Sequence, residues 1–139
     1  MKLWKWLEHK RVMKRIRLEE EALQSHFPHE PGDNWQYYVQ ESDKIFEWRQ
    51  LVMTKYLSRI ADDLNVPLPD RRDKSLWESV DFDNDPSQPK YLTPKGVVEA
   101  RRLIREEQKA KREAIAFWVP IFFGSAGMIT GIIAALKHT

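Results

Sequence analysis

The sequence predicts an all-α protein, a small helical bundle or hairpin whose long last helix continues through a single transmembrane span. Three observations lead to this fold class. Apolar residues recur at three- to four-residue steps along two early segments. Thr93-Pro94 is a typical helix start, with Thr as the N-cap and Pro at the first helical position. Residues 114–136 are 23 consecutive positions without a charge. They would form roughly 34 Å of helix, enough to cross a hydrocarbon core of about 30 Å.

The first predicted helix covers residues 2–25 and has two apolar arcs on different sides. The early arc consists of Leu3, Trp4, Trp6 and Leu7, and the later, nearly opposite arc consists of Val12, Met13, Ile16 and Leu23. We therefore expect the first two turns to dock on something other than the surface that the later turns pack against.

A cluster of basic residues and tryptophans lies on this helix and is a candidate contact with a membrane surface. Its members are Lys2, Trp4, Lys5, Trp6, Lys10, Arg11, Lys14 and Arg15. Lys and Arg attract anionic lipid, and Trp favours the headgroup level of a bilayer. Basic residues interleaved with aromatics also occur in nucleic-acid binders. A third interpretation is an ordinary solvated face with the Trp rings in the core.

The second predicted helix covers residues 34–64, where the apolar positions keep helical spacing up to Asn65 and the prolines that follow. Residues 65–93 form a loop that is rich in proline and acidic residues. Within this loop we expect Leu76, Trp77 and Val80 to form one short amphipathic turn that packs onto the helices.

The third predicted helix begins after Thr93 and covers residues 94–113. Its first part has apolar side chains to bury, namely Val97, Ala100, Leu103 and Ile104. From residue 105 to 113 only Ala110 is apolar, so we predict a solvated, charged stalk held by pairs such as Glu107/Lys111. The stalk is expected to continue unbroken into the span.

The charges flanking residues 114–136 predict the orientation of the span. Six basic residues precede it, and Lys137 alone follows it. By the positive-inside rule, residues 1–113 form a cytoplasmic helical domain and residues 137–139 an external tail. The residues that set this topology are Arg101, Arg102, Arg105, Lys109, Lys111 and Arg112. No long apolar run lies near residue 1, so a cleaved signal peptide is not expected.

Small residues share one stripe of the predicted span. Pro120, Gly124, Gly127, Gly131 and Ala135 fall within about 80° of one another on a helical wheel. Small residues at four-residue spacing let two membrane helices approach closely. The stripe predicts self-association, or docking onto a partner membrane protein, through this helix. Glycines are also generally common in membrane helices, which is the simpler explanation.

Several motifs together resemble a loosely defined group of small bacterial inner-membrane proteins. They are Val66-Pro67-Leu68-Pro69, Trp77, Tyr91-Leu92-Thr93-Pro94-Lys95-Gly96, Arg102-Leu103-Ile104-Arg105-Glu106-Glu107, the basic stalk and the Gly-rich terminal helix. The shared layout covers a little over half of the chain. The resemblance implies a location in the bacterial inner membrane and supplies no activity. The Trp-containing first helix departs from the pattern of the group.

Metal sites and cofactors are not expected. The chain has no cysteine. Residues 81–85 begin like a calcium loop, but Pro86 and Leu92 occupy the positions that require Gly and Glu. His26 and His29 are flanked by prolines that prevent the spacing zinc needs.

We therefore expect a non-enzymatic interaction or assembly protein that presents a helical domain at the cytoplasmic face of the membrane. No catalytic motif or small-molecule substrate site is recognisable. One alternative is an oligomeric pore or membrane-disrupting component, although the span offers only Ser125 and Thr130 as polar groups. The other is a membrane-tethered nucleic-acid binder. Nucleic acid is the less favoured partner, because residues 18–100 carry nine Lys/Arg against seventeen Asp/Glu.

Overall fold

The computed structural model of this chain describes residues 3–28, 32, 34–80 and 88–137, with side chains as far as residue 121. It is mostly helical, as the sequence predicts. The described elements, in chain order, are α1 (Leu3–Ser25), α2 (Trp35–Leu64), β1 (Trp77–Ser79), β2 (Lys90–Leu92) and α3 (Pro94–Lys137). The chain divides into two compact units, Met1–Ile104 and Arg105–Thr139.

Helices α1 and α2 form an antiparallel hairpin. The contacts Glu20–Arg49, His9–Tyr56 and Glu8–Arg59 show this direction, because they move towards the end of α2 as they move towards the start of α1. Ile16 is fully buried on the face of α1 that carries His9 and Glu20. The later of the two predicted apolar arcs therefore faces α2.

The end of α2 is defined by Asn65. This residue has φ of 57°, in the left-handed region. Its N–H donates to the carbonyl of Asp62, and the N–H of Val66 donates to the carbonyl of Ala61 at 2.8 Å. These two bonds are those of a Schellman motif, which satisfies the last carbonyls of a helix. Asn tolerates the left-handed conformation better than other non-glycine residues do.

The segment after α2 contains a short antiparallel ribbon, which differs from the loop predicted for residues 65–93. The predicted amphipathic turn at Leu76, Trp77 and Val80 is wrong in conformation, because Trp77 begins β1, but Trp77 and Val80 are buried and Leu76 packs against the core, as expected. The register pairs Trp77 with Leu92, Glu78 with Tyr91 and Ser79 with Lys90. Each strand has only three residues, and the residues that pair lie more than ten positions apart in the sequence. The spacing of apolar residues within 76–80 therefore carries no information about this pairing.

The main core lies where α2, the ribbon and the start of α3 meet. It consists of Leu57, Ala61, Trp77, Leu92, Val97, Ala100 and Ile104. Two buried polar bonds connect the parts. The backbone N–H of Leu92 donates to Thr54 Oγ1 at 2.8 Å, and Trp77 Nε1 donates to the carbonyl of Pro69 at 3.0 Å. The residues that we expected α3 to bury are thus in the core, except that Leu103 is only half-buried.

The start of α3 is closely bound to the two residues before β1, and Thr93 is confirmed as its helix cap. Thr93 Oγ1 accepts a hydrogen bond from the N–H of Gly96 at 3.1 Å and donates to the carbonyl of Ser75 at 2.8 Å. The N–H of Thr93 donates to the carbonyl of Leu76 at 3.0 Å. A Cβ atom at Gly96 would lie 2.1 Å from that same carbonyl oxygen, so only glycine fits.

The second unit contains the rest of α3, which is continuous to Lys137 as predicted. The predicted stalk pair is confirmed, with Lys111 3.7 Å from Glu107. No helix qualifies as a membrane span among the residues whose side chains are described, which end at residue 121. Most of the predicted span, including Gly124, Gly127, Gly131 and Ala135, lies outside them. Pro120 is within them and is exposed.

Candidate binding groove on the first helix

The face of α1 that points away from α2 carries an exposed strip of large apolar side chains. Leu3 is 72% exposed, Trp4 77%, Leu7 41% and Leu18 55%. Leu3, Leu7 and Leu18 share one side of the helix by their spacing, and Trp4 borders it. The early predicted apolar arc therefore does not enter the core.

A groove runs beside this strip, between α1 and α2. Its volume is about 650 Å³. Nearly all of its lining comes from α1, and α2 adds only Arg49 and Tyr56. The lining residues are Trp6, Leu7, His9, Lys10, Arg11, Met13, Lys14, Arg17, Arg49 and Tyr56. Five of these ten are Lys or Arg and none is Asp or Glu, so the groove is strongly cationic over an apolar base.

Several of these cations keep their charge available. Arg11, Lys14 and Arg17 form no ion pair with any carboxylate of the described residues. Lys10 lies 4.6 Å above the ring of Trp6 in a cation–π contact, which leaves its charge uncancelled. Arg49 differs, because one terminal nitrogen of its guanidinium is paired with Glu20.

His9 lies on the wall of the groove, where its ring is partly buried. Its ring stacks on Tyr56, with centroids 3.8 Å apart and planes 7° from parallel. Burial, together with the positive charge of Arg101, lowers the pKa of His9 below its ordinary value of 6.5. The lowered pKa favours the neutral imidazole, and the stacked ring adds to the apolar part of the lining.

The structure brings together only part of the basic cluster predicted from the sequence. Trp6, Lys10, Arg11 and Lys14 line the groove. Trp4 and Lys5 are exposed on α1 outside it, and Lys2 lies outside the described residues. Arg15 contacts neighbouring side chains instead, with its Nε 3.0 Å from Glu19 and its guanidinium 5.9 Å from the ring of Trp48.

The six residues predicted to set the topology lie on α3, and all are exposed. Arg102 binds Glu99 through two hydrogen bonds of 2.6 and 3.0 Å, which lowers the pKa of that carboxyl. Lys109 lies 3.8 Å from Glu113. Arg101 donates to the sulfur of Met53. These contacts are compatible with a solvated helix surface and do not form a site.

Neither the basic cluster nor the apolar arcs predicted from the sequence included the groove residues His9, Arg17, Arg49 and Tyr56 or the strip residue Leu18. Helical spacing from Leu3 and Leu7 could have located Leu18, and extending the charge run by two residues would have included Arg17. Nothing local in the sequence pairs His9 with Tyr56 or places Arg49 beside α1, because those contacts depend on the register of the hairpin.

The conspicuous motifs elsewhere in the first unit build structure rather than a site. Pro69, Trp77, Leu92, Thr93 and Gly96 hold the ribbon against α2 and α3 through the bonds described above. The buried hydroxyl of Tyr91 hydrogen-bonds Glu78 across the ribbon, and burial and that carboxylate raise the pKa of the hydroxyl. No group of three or more potential metal ligands exists among the described residues. Asp81, Asp83, Asp85 and His29 lie outside them.

No family model, curated protein or solved structure matches this chain.

Proposed function

We propose that this chain is a non-enzymatic interaction protein of the bacterial inner membrane, anchored by its last helix and with α1 lying on the anionic surface of the same bilayer. The hairpin and ribbon then present a small helical domain to partners at the cytoplasmic face. The observation that carries the proposal is the exposed strip of α1, formed by Leu3, Trp4, Leu7 and Leu18. Arg11, Lys14 and Arg17 lie beside it and have no carboxylate partner among the described residues.

The exposure of Trp4 weighs against the interpretation of α1 as an ordinary solvated face with its Trp rings in the core. Only Ile16 of this helix is fully buried. An exposed apolar strip flanked by Lys and Arg is typical of helices that lie in a membrane interface. A nucleic-acid backbone would match the cations but would leave Leu3, Leu7 and Leu18 without a partner.

The beginning of the predicted span also supports anchoring. Ile115, Phe117, Trp118, Val119 and Ile121 are all exposed. At 100° per residue these five positions cover about 200° of the circumference of α3, and Ala116 and Pro120, both exposed, fall in the remaining sector. A helix that is apolar all round needs an apolar environment, which a bilayer supplies. The uncharged sequence continues to residue 136.

The electrostatic attraction of α1 to an anionic membrane is strong enough for such a surface contact. Each Lys or Arg near an anionic membrane surface contributes about 1 kcal/mol, so Arg11, Lys14 and Arg17 together contribute about 3 kcal/mol. That is weak for a free protein in solution. For a chain already anchored by α3 the contact is effectively intramolecular, and a weak interaction then suffices.

The absence of native cysteine makes a direct test simple. We would label Leu7→Cys, on the strip, with an environment-sensitive fluorophore, and use Asp62→Cys, exposed on α2, as the matched control. The full chain would be reconstituted into phosphatidylcholine vesicles with or without phosphatidylglycerol. We expect a blue shift at position 7 in the anionic vesicles alone, and none at position 62. Identical spectra at position 7 in both vesicles would refute the proposal.

A further inference from the structure

We propose that the groove between α1 and α2 binds one anionic phospholipid, with the phosphate headgroup among Lys14, Arg17 and Arg49 and the acyl chains leaving past Leu7. This inference rests on the proposed function and makes it more specific. The surface contact of α1 needs only general charge attraction, whereas the groove is a site for a single lipid molecule.

Charge complementarity identifies the ligand as an anion. Five Lys or Arg side chains line the groove without a lining carboxylate. Arg11, Lys14 and Arg17 have no ion-pair partner among the described residues. Bringing like charges together around a cleft is unfavourable unless an anion neutralises them, and such clefts concentrate anions by focusing the field.

Arg49 has hydrogen-bonding capacity left for a ligand. One terminal nitrogen of its guanidinium binds Glu20, but its Nε is buried without an acceptor among the described residues. Buried donors without partners are rare, because each one costs the desolvation of that group. A phosphate held beside the guanidinium of Arg49 would form a charge-assisted interaction with it.

The apolar part of the lining indicates an amphiphile rather than a simple anion. Trp6, Leu7, Met13 and Tyr56 contribute side chains that an inorganic phosphate would not contact. The stacked ring of His9 extends this apolar wall. Leu7 belongs both to the groove and to the exposed strip, so it connects the two, and an acyl chain that follows it stays on apolar surface.

The groove has the dimensions of a ligand site. About 650 Å³ lies within the range of small-molecule pockets, which is roughly 300–1,000 Å³. We place one lipid headgroup in this volume, with the acyl chains outside it. A stoichiometry of one lipid per chain follows.

The test counts bound lipids by native mass spectrometry on the full chain in neutral detergent micelles. Phosphatidylglycerol is titrated against phosphatidylcholine with the same acyl chains. The variant is Lys14→Gln, and Lys5→Gln is the matched control. Each substitution removes one positive charge from an exposed side chain of α1, but only Lys14 lines the groove. We expect saturable binding of one phosphatidylglycerol, about tenfold weaker in Lys14→Gln and changed less than twofold in Lys5→Gln.

Other outcomes overturn the proposal. Equal weakening by both substitutions would show general electrostatic attraction and no groove site. Displacement of the lipid by millimolar inorganic phosphate would show an anion site that does not use the acyl chains. Displacement by a 20-nucleotide single-stranded DNA would favour a nucleic-acid surface.

The vesicle experiment with labelled Leu7→Cys separates this failure from failure of the proposed function. A blue shift in anionic vesicles without saturable lipid binding would overturn the groove site and leave the surface contact of α1 standing. Absence of both the blue shift and saturable lipid binding would overturn the surface contact and the groove site together.

Discussion

Replacing Gly96 with alanine tests the account of how α3 is fixed to the ribbon. The added Cβ would meet the carbonyl oxygen of Leu76 at 2.1 Å, and the carbonyl carbon and Leu92 Cδ2 at 3.0 Å each. The first obstacle is backbone, so no side-chain rotation can relieve the clash. The start of α3 must move away from Leu76 by at least about 1.3 Å, from 2.1 Å to the 3.4 Å of an ordinary van der Waals contact.

This movement has a cost that follows from the local bonds. It stretches the 3.0 Å bond from the Thr93 N–H to Leu76 and the 2.8 Å bond from Thr93 Oγ1 to Ser75. Two hydrogen bonds contribute about 2 kcal/mol, and overpacking of the adjacent core costs about 1–3 kcal/mol. The higher helix propensity of alanine returns about 1 kcal/mol, so Gly96→Ala should reduce the free energy of unfolding by about 2–4 kcal/mol.

The assay is urea unfolding of the full chain in neutral detergent, followed by circular dichroism and tryptophan fluorescence. Gly32→Ala is the matched control, because its Cβ would meet no atom within 4 Å and its φ is not positive. The control should stay within about 0.5 kcal/mol of the wild type. Equal stability of the two variants would refute the close approach of α3 and β1.

Four further predictions concern other parts of the molecule. Asn65→Val should cost about 1–2 kcal/mol of unfolding free energy, because a β-branched residue is strained at φ of 57°, whereas Asn65→Gly should cost nothing; urea unfolding of both variants measures this. Thr54→Val leaves the buried N–H of Leu92 without an acceptor and should cost about 1–3 kcal/mol, whereas Thr54→Ser keeps the acceptor, and equal losses would contradict the role of this bond. Because the pKa of His9 is lowered by folding, the unfolded chain binds a proton at His9 more tightly than the folded chain does. The free energy of unfolding should therefore decrease as the pH falls below 6.5 and should not depend on His9 above it. Unfolding measured at several pH values should show a weaker dependence of this free energy on pH in His9→Phe than in the wild type. Gly127→Leu combined with Gly131→Leu should weaken self-association in membranes, measured by crosslinking, whereas Met128→Leu combined with Ile132→Leu, off the small-residue stripe, should not.

The helices were predictable because each is encoded by nearby residues. The spacing of apolar positions along 34–64 repeats at helical period, and Asn65 with the following prolines ends it. Thr93-Pro94 marked the start of α3 through a local cap. The predicted and observed starts and ends of the first two helices differ by at most one residue, since caps and periodicity act within a few positions of one another.

The ribbon was not predictable in the same way. Trp77 pairs with Leu92, and between them lies a segment rich in charge and proline. Three-residue strands carry too few positions for an alternating pattern to be distinguished from a helical turn. The role of Gly96 was equally hard to predict, because the space that a side chain would need is occupied by the backbone of Leu76, twenty positions earlier.

For the candidate site, the sequence alone determined that α1 carries Trp and Leu residues beside a dense set of cations, and that an uncharged stretch follows the stalk. These are properties of composition and order, so they need no tertiary information. Only the tertiary structure decided which side of α1 is left uncovered and which residues form a groove. The register of the hairpin buries Ile16, turns Leu3, Leu7 and Leu18 outward, and brings Arg49 and Tyr56 beside the cations of α1. These contacts join residues 29 to 51 positions apart, so they follow from packing two helices together, and no local pattern in either helix specifies them.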